Sequence, residues 1–130
     1  MTGTTLVQHA DPARFQAGLR PFFEYRDLGV ASATAGAFGA QVIRAVPGVP
    51  TLPAWHTHAL GFQLVYVLRG WVEFEYEDIG RVRLGPGASA WQPPGVRHRE
   101  LAHSDDLELL EVTSPAEFAT AMADAPAHAA

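Results

Sequence analysis

Cysteine and lysine are both missing from the 130-residue chain. Without cysteine there is no disulfide, no thiolate nucleophile and no thiolate-held zinc or iron–sulfur cluster, so any metal must be bound by His, Asp, Glu or Gln. Without lysine there is no Schiff base and no amine nucleophile. All nine basic residues are arginine, scattered among 14 acidic ones for a formal net charge of −5. That balance lacks the electrostatic footprint of phosphate-backbone binding, and no nucleic-acid partner is expected. No apolar run approaches membrane-spanning length, and the stretch MTGTTLVQHAD has neither the charged nor the apolar region of a signal peptide. No membrane partner is expected, and the cytoplasm is the expected location.

The chain is 48% hydrophobic, and its length suits one domain with a substantial core but not two. From Phe22 to Thr113, short runs rich in Val, Phe, Tyr, Trp and Leu are separated by Gly and Pro, which is the pattern of an all-β domain. Strands are expected near 22–27, 41–46, 54–59, 62–69, 71–77, 81–84, 88–92, 98–102 and 106–113. The clearest hairpin runs from Trp71 to Leu84. Its Val72, Phe74 and Tyr76 alternate with Glu73, Glu75 and Glu77, whose carboxylates should meet arginines on a solvated face rather than take part in chemistry.

Flanking this domain, residues 1–21 are expected to hold a short helix opened by Asp11-Pro12 and ended by Gly18. Residues 114–130 are expected to form a second helix from the capping box Ser114-Pro-Ala-Glu117, with Phe118 and Met122 as its apolar stripe and a frayed end. His9, His103 and His128 are isolated and read as core or surface residues.

The chemistry is concentrated in the stretch WHTHALGFQLVYVLRG, residues 55–70. His56 and His58 stand at i and i+2 of a strand and so project to one face. Gln63 follows His58 by five residues and Gly70 follows Gln63 by seven; a later segment runs Gly87-Ala-Ser-Ala-Trp-Gln-Pro93-Pro-Gly95-Val-Arg-His98. These two segments, in this order and spacing, resemble the two motifs of the cupins. His56, His58 and Gly70 match the first motif, with Gln63 in the position of its glutamate and Pro50 where its opening glycine would stand. Gly87, Pro93, Gly95 and His98 match the second, with Ala102 in place of its final asparagine.

The resemblance covers about residues 40–113 and implies a double-stranded β-helix, or jelly-roll, barrel, here with short N- and C-terminal helices. It implies a divalent transition metal, Zn, Fe, Ni or Cu, held by His56, His58, Gln63 and His98, and it implies a homodimer. Gln63 brings a neutral amide oxygen where a carboxylate would bring a charge, whether it ligates the ion or instead hydrogen-bonds a metal-bound water or substrate, so the centre should favour an anionic small-molecule ligand. If Gln63 faces inward, Val65 and Val67 do too while Tyr66 faces out, and Glu100 accompanies His98 as a candidate general base. Arg44, sharing a parity with Val42 and Val46, is a candidate anchor for an anion inside the barrel. An enzyme is the favoured reading, dioxygenase-type ahead of a non-redox cyclase, isomerase or lyase resembling single-domain polyketide cyclases, with a non-catalytic small-molecule or metal sensor as the third reading. Fold and metal site do not choose among these, since cupin reactions are diverse.

Overall fold

The computed structural model describes residues 3–11 and 14–127. All nine expected strands form within it. In chain order they are β2 (Phe23–Asp27), β3 (Gly39–Ala45), β4 (His56–His58), β5 (Phe62–Arg69), β6 (Val72–Tyr76), β7 (Gly80–Leu84), β8 (Ser89–Trp91), β9 (His98–His103) and β10 (Glu108–Ser114). Two further strands, β1 (Gln16–Ala17) and β11 (Thr120–Met122), complete two sheets with orders β1-β2-β3-β10-β5-β8 and β11-β4-β9-β6-β7, whose strands pair antiparallel. This is the expected all-β jelly roll. Among the described residues no helix is long and apolar enough to cross a membrane.

The helices expected at the two ends are replaced by edge strands. Pro12 and Ala13 lie outside the described residues, as does His128, but Gln16 and Ala17 pair with Tyr25 and Glu24 of β2. Gly18 then lies against the Tyr25 ring, too close for any Cβ. At the other end, Ser114 does not cap a helix. It remains in β10 opposite Phe62, and its hydroxyl donates to the Ala37 carbonyl 2.8 Å away. Thr120–Met122 then completes the open edge of β4. A helix of one or two turns is marginal alone, whereas a sheet edge offers ready-made partners. The one helix among the described residues is α1, Val30–Ala33, in the loop between β2 and β3.

The core fills the space between the sheets. Ile43, Val65, Val67 and Leu109 come from one, Val72, Phe74, Tyr76 and Leu84 from the other. Alternation along β5 sets the inward face: Gln63, Val65 and Val67 are buried while Tyr66 is 41% exposed. The packing is tightest around Val67, Val72 and Leu107, which are at most 1% exposed. Moving along β5 from Val67 to Gln63 leads out of this solid core into a cavity. Gly70 ends the strand with φ of 69°, and a Cβ there would strike Ser104 and Asp106, so the turn back into β6 needs glycine. The glutamates of β6 meet arginines as expected, although only Glu73 does so across the hairpin, with Arg83 at 3.5 Å; Glu75 and Glu77 pair with Arg99 and Arg97 from the β9 side.

Candidate metal centre

Three strand ends bring the histidines together. β4 and β9 are in register at His56 and His98, and the i, i+2 spacing adds His58 on the same face. Gly95, with φ of 79°, makes the turn after Pro93-Pro94 that starts β9 on His98. The ligand nitrogens of His56, His58 and His98 all lie within 4.8 Å of one another, and the ring centres of His56 and His98 are 4.3 Å apart.

Each ring is held from behind. His56 Nδ1 donates to the Ala54 carbonyl at 2.7 Å and His98 Nδ1 to the Val96 carbonyl at 3.0 Å. Since carbonyls only accept, both Nε2 atoms carry free lone pairs. His58 Nδ1 is 2.8 Å from Thr120 Oγ1, so the unforeseen strand β11 supplies the outer support of the third ligand. Buried imidazoles with outward Nδ1 partners and converging Nε2 atoms fit a divalent transition metal of the Zn, Fe, Ni or Cu type.

Burial also keeps these rings neutral. It is the main cause of the fall of His58 to about 3 and of His98 to about 4, with repulsion from the neighbouring rings adding to it, and it lowers His56 as well. An unfolded imidazole takes its proton near pH ~6.5. Below that pH the unfolded state therefore binds more protons than the folded state, and stability falls as pH falls. Metal-stripped protein should lose Tm progressively from pH 7 to pH 4.5, and His98→Ala should flatten that slope. Equal slopes in melts of the two proteins would refute this account.

The histidines open on a cavity of about 1240 Å³ whose wall includes Arg20, Phe22, Gln63, Glu100, Glu111 and Phe118. Gln63 is 4% exposed, and its Nε2 donates to Glu111 Oε2 at 3.0 Å; Gln41 Nε2 donates to the other oxygen of Glu111 at 2.9 Å. The amide nitrogen of Gln63 is thus committed to Glu111. The carboxyl group absent from position 63 stands at Glu111, one hydrogen bond further back. Burial raises the Glu111 carboxyl above the ordinary range, and the two amide donors oppose that rise.

Glu100 shares the cavity. It is 8% exposed and neither carboxyl oxygen has a hydrogen-bond partner; His103 Nδ1 lies 3.3 Å from Oε1 without hydrogen-bond alignment. Burial raises its pKa, with the His103 ring opposing. His103 is otherwise a packing residue, 5.3 Å from the Phe23 ring centre.

The placement of Arg44 differs from the expectation. Ile43 and Ala45 are the inward residues of β3, so Arg44 faces outward, pairs with Glu24 at 3.2 Å and covers the Phe15 ring. It is not on the cavity wall.

Residues 42–113 match the family model described as "Cupin domain". The chain belongs to the cupin family. No curated protein matches it in sequence. Solved cupin-like structures share its fold: the polyketide cyclase RemF from Streptomyces resistomycificus is 20% identical over 95% of this chain and 89% of its own, with a TM-score of 0.73. A sugar phosphate isomerase of the cupin superfamily from Silicibacter pomeroyi is 21% identical over 90% and 81%, with a TM-score of 0.70. KdgF from Halomonas sp. is 23% identical over 82% and 92%, with a TM-score of 0.62.

The cupin motifs account for His56, His58, Gln63 and His98 but for neither Glu111 nor Arg20. Strand parity reaches Glu111 in principle, two residues beyond Leu109, yet the adjacent Leu109-Leu110 pair obscures which face of β10 is inward. Arg20 carries no such signal, lying between the end of the expected helix at Gly18 and the first expected strand.

Proposed function

We propose that this cupin is a cytoplasmic metal-dependent enzyme that moves a proton on a small, chelating or anionic substrate, in a cyclase, isomerase or lyase type of reaction. His56, His58 and His98 hold the ion and Gln63 presents its amide oxygen to it. The observation carrying this reading is Glu100: a carboxyl with both oxygens unpartnered stands on the wall of the cavity that the three histidines face. A buried acid whose close neighbour, His103 at 3.3 Å, makes no aligned hydrogen bond to it is costly and suits a group whose partner is the substrate.

A divalent ion held by His56, His58 and His98 would supply Lewis acidity, making a C–H beside a substrate carbonyl more acidic. Glu100 then takes that proton and returns it elsewhere, while Phe22 and Phe118 limit water on the cavity wall. The cyclase and isomerase named among the structures of like fold agree with this class. A dioxygenase is the second reading, favoured by the three imidazoles, which also suit redox-active Fe or Cu.

Deuterium incorporation into enolisable carbonyl compounds, beginning with pyruvate, distinguishes the two. Metal-loaded protein should catalyse exchange, and Glu100→Gln should slow it by about 10²–10⁴-fold with metal content unchanged. Stoichiometric oxygen uptake without exchange would overturn the proton-transfer reading in favour of the dioxygenase. A homodimer is supported by the outer face of β5 and β8, where Phe62, Tyr66, Leu68 and Trp91 are each at least 37% exposed.

A further inference from the structure

Five arginines are paired with carboxylates: Arg44 with Glu24, Arg69 with Asp106, Arg83 with Glu73, Arg97 with Glu77 and Arg99 with Glu75. Arg20 is different. Its side chain has no ion pair and no hydrogen bond among the described residues, and one amino nitrogen is shut off from water without an acceptor. Only its backbone is engaged: the N–H donates to the Tyr25 hydroxyl at 3.1 Å and the carbonyl accepts from the Phe23 N–H at 3.2 Å. Yet Arg20 is part of the cavity wall, and its charge disfavours protonation of His56, His58 and His98.

For the half-buried Arg20 that one nitrogen is costly, since a buried donor without an acceptor loses its hydration and gains nothing in return. Glu100 lines the same cavity, with His103 Nδ1 at 3.3 Å but no aligned hydrogen bond, and it is not ion-paired with Arg20. The fold therefore keeps a cation and a carboxyl apart on one wall, close to a metal-binding cluster. We propose that Arg20 anchors a carboxylate group of the substrate, so that the ligand is held by the guanidinium at one point and by the histidine-bound metal at another.

The planar fork of arginine matches a carboxylate in two-point hydrogen bonding. Arg14 and Arg26 also line the wall, but the acidic Asp11, Asp27, Glu100, Glu111 and Glu117 outnumber the three arginines there, a balance that suits a monoanion rather than a phosphate dianion. The body of the ligand is set by the wall around it, where Phe22, Ile43 and Phe118 call for an apolar or aromatic group. The substrate class is thus an apolar carboxylic acid with a second, metal-binding oxygen. The inference rests on reading the cavity as the substrate site, though not on which reaction occurs there.

Benzoate, its neutral isostere benzamide and inorganic phosphate are suitable probes, titrated calorimetrically into full-length protein in metal-loaded and metal-stripped forms. Benzoate should bind both forms, and benzamide should bind at least about 10-fold more weakly. Arg20→Gln should weaken benzoate by about 10- to 100-fold in the metal-stripped protein, with metal content and the near-ultraviolet circular dichroism of the fold unchanged. Arg20→Lys, which keeps the charge but not the fork, should fall between, and it provides a second variant if Arg20→Gln folds poorly.

Equal benzoate affinity in wild type and both variants would overturn the proposal. So would absence of benzoate binding to wild type, tighter binding of phosphate than of benzoate, or loss of metal from folded Arg20→Gln, which would make Arg20 a support of the metal cluster. Because the metal-stripped arm needs neither metal nor turnover, a failed exchange assay with intact Arg20-dependent benzoate binding would fault the proposed reaction and not this anchor.

Discussion

His98→Ala should abolish stoichiometric metal binding. His98 joins β4 to β9 at the single register pair His56–His98, and its ring is already oriented by the bond from Nδ1 to the Val96 carbonyl. Such a ring loses little further entropy when it ligates, so its removal costs a preorganised donor as well as a bond. Loss of an outer partner of a ligand typically lowers metal affinity by 10–100-fold, so loss of the ligand itself should exceed about 100-fold. Elemental analysis after dialysis against a weak chelator measures this, with the wild type retaining about one equivalent. The variant should fold, because the most deeply buried core residues, Val67, Val72 and Leu107, do not line the cavity. Full metal occupancy in folded His98→Ala would mean that the three histidines are not the site.

The strands were legible because this barrel is written in short alternating runs punctuated by Gly and Pro, and β5 shows why parity is reliable there. Once Gln63 is placed inward, Val65 and Val67 must follow, and they do. The same logic placed Glu100 beside His98. It failed for Arg44 because Gln41-Val-Ile-Arg-Ala45 carries apolar residues on both faces, and alternation alone does not say whether Val42 or Ile43 is the inward one. The terminal segments were misread for a different reason. Capping boxes and Asp-Pro starts describe local preference, whereas the open edges of β2 and β4 are tertiary features that recruit whatever chain lies nearby. Thr120 and Arg20 reach the site only through those segments, so neither could be found without the fold.

Gln63→Glu should convert a satisfied buried pair into a conflict. In the wild type the amide of Gln63 donates to Glu111, which also accepts from Gln41. The substitution removes that donor and sets two carboxyls about a hydrogen bond apart, so in metal-free protein at neutral pH they cannot both ionise freely; the pair must share a proton or move apart. Metal-stripped Gln63→Glu should therefore be less stable than wild type by about 1–3 kcal/mol, the usual cost of leaving a buried polar group unsatisfied. Metal should restore much of this loss, because the ion offers the new carboxylate a positive partner. The variant should thus show a larger metal-induced rise in Tm than wild type and a weaker hold on anionic ligands, whose charge would now be opposed by that of the introduced carboxylate. The exchange Gln63→Glu with Glu111→Gln tests the cause. It keeps one carboxylate and one amide in contact but reverses their order, and so should recover most of the metal-free stability while retaining the altered anion affinity. If the single variant matched wild type in metal-free Tm, metal content and benzoate affinity, the division of labour between an amide at residue 63 and a carboxyl at Glu111 would have no energetic content.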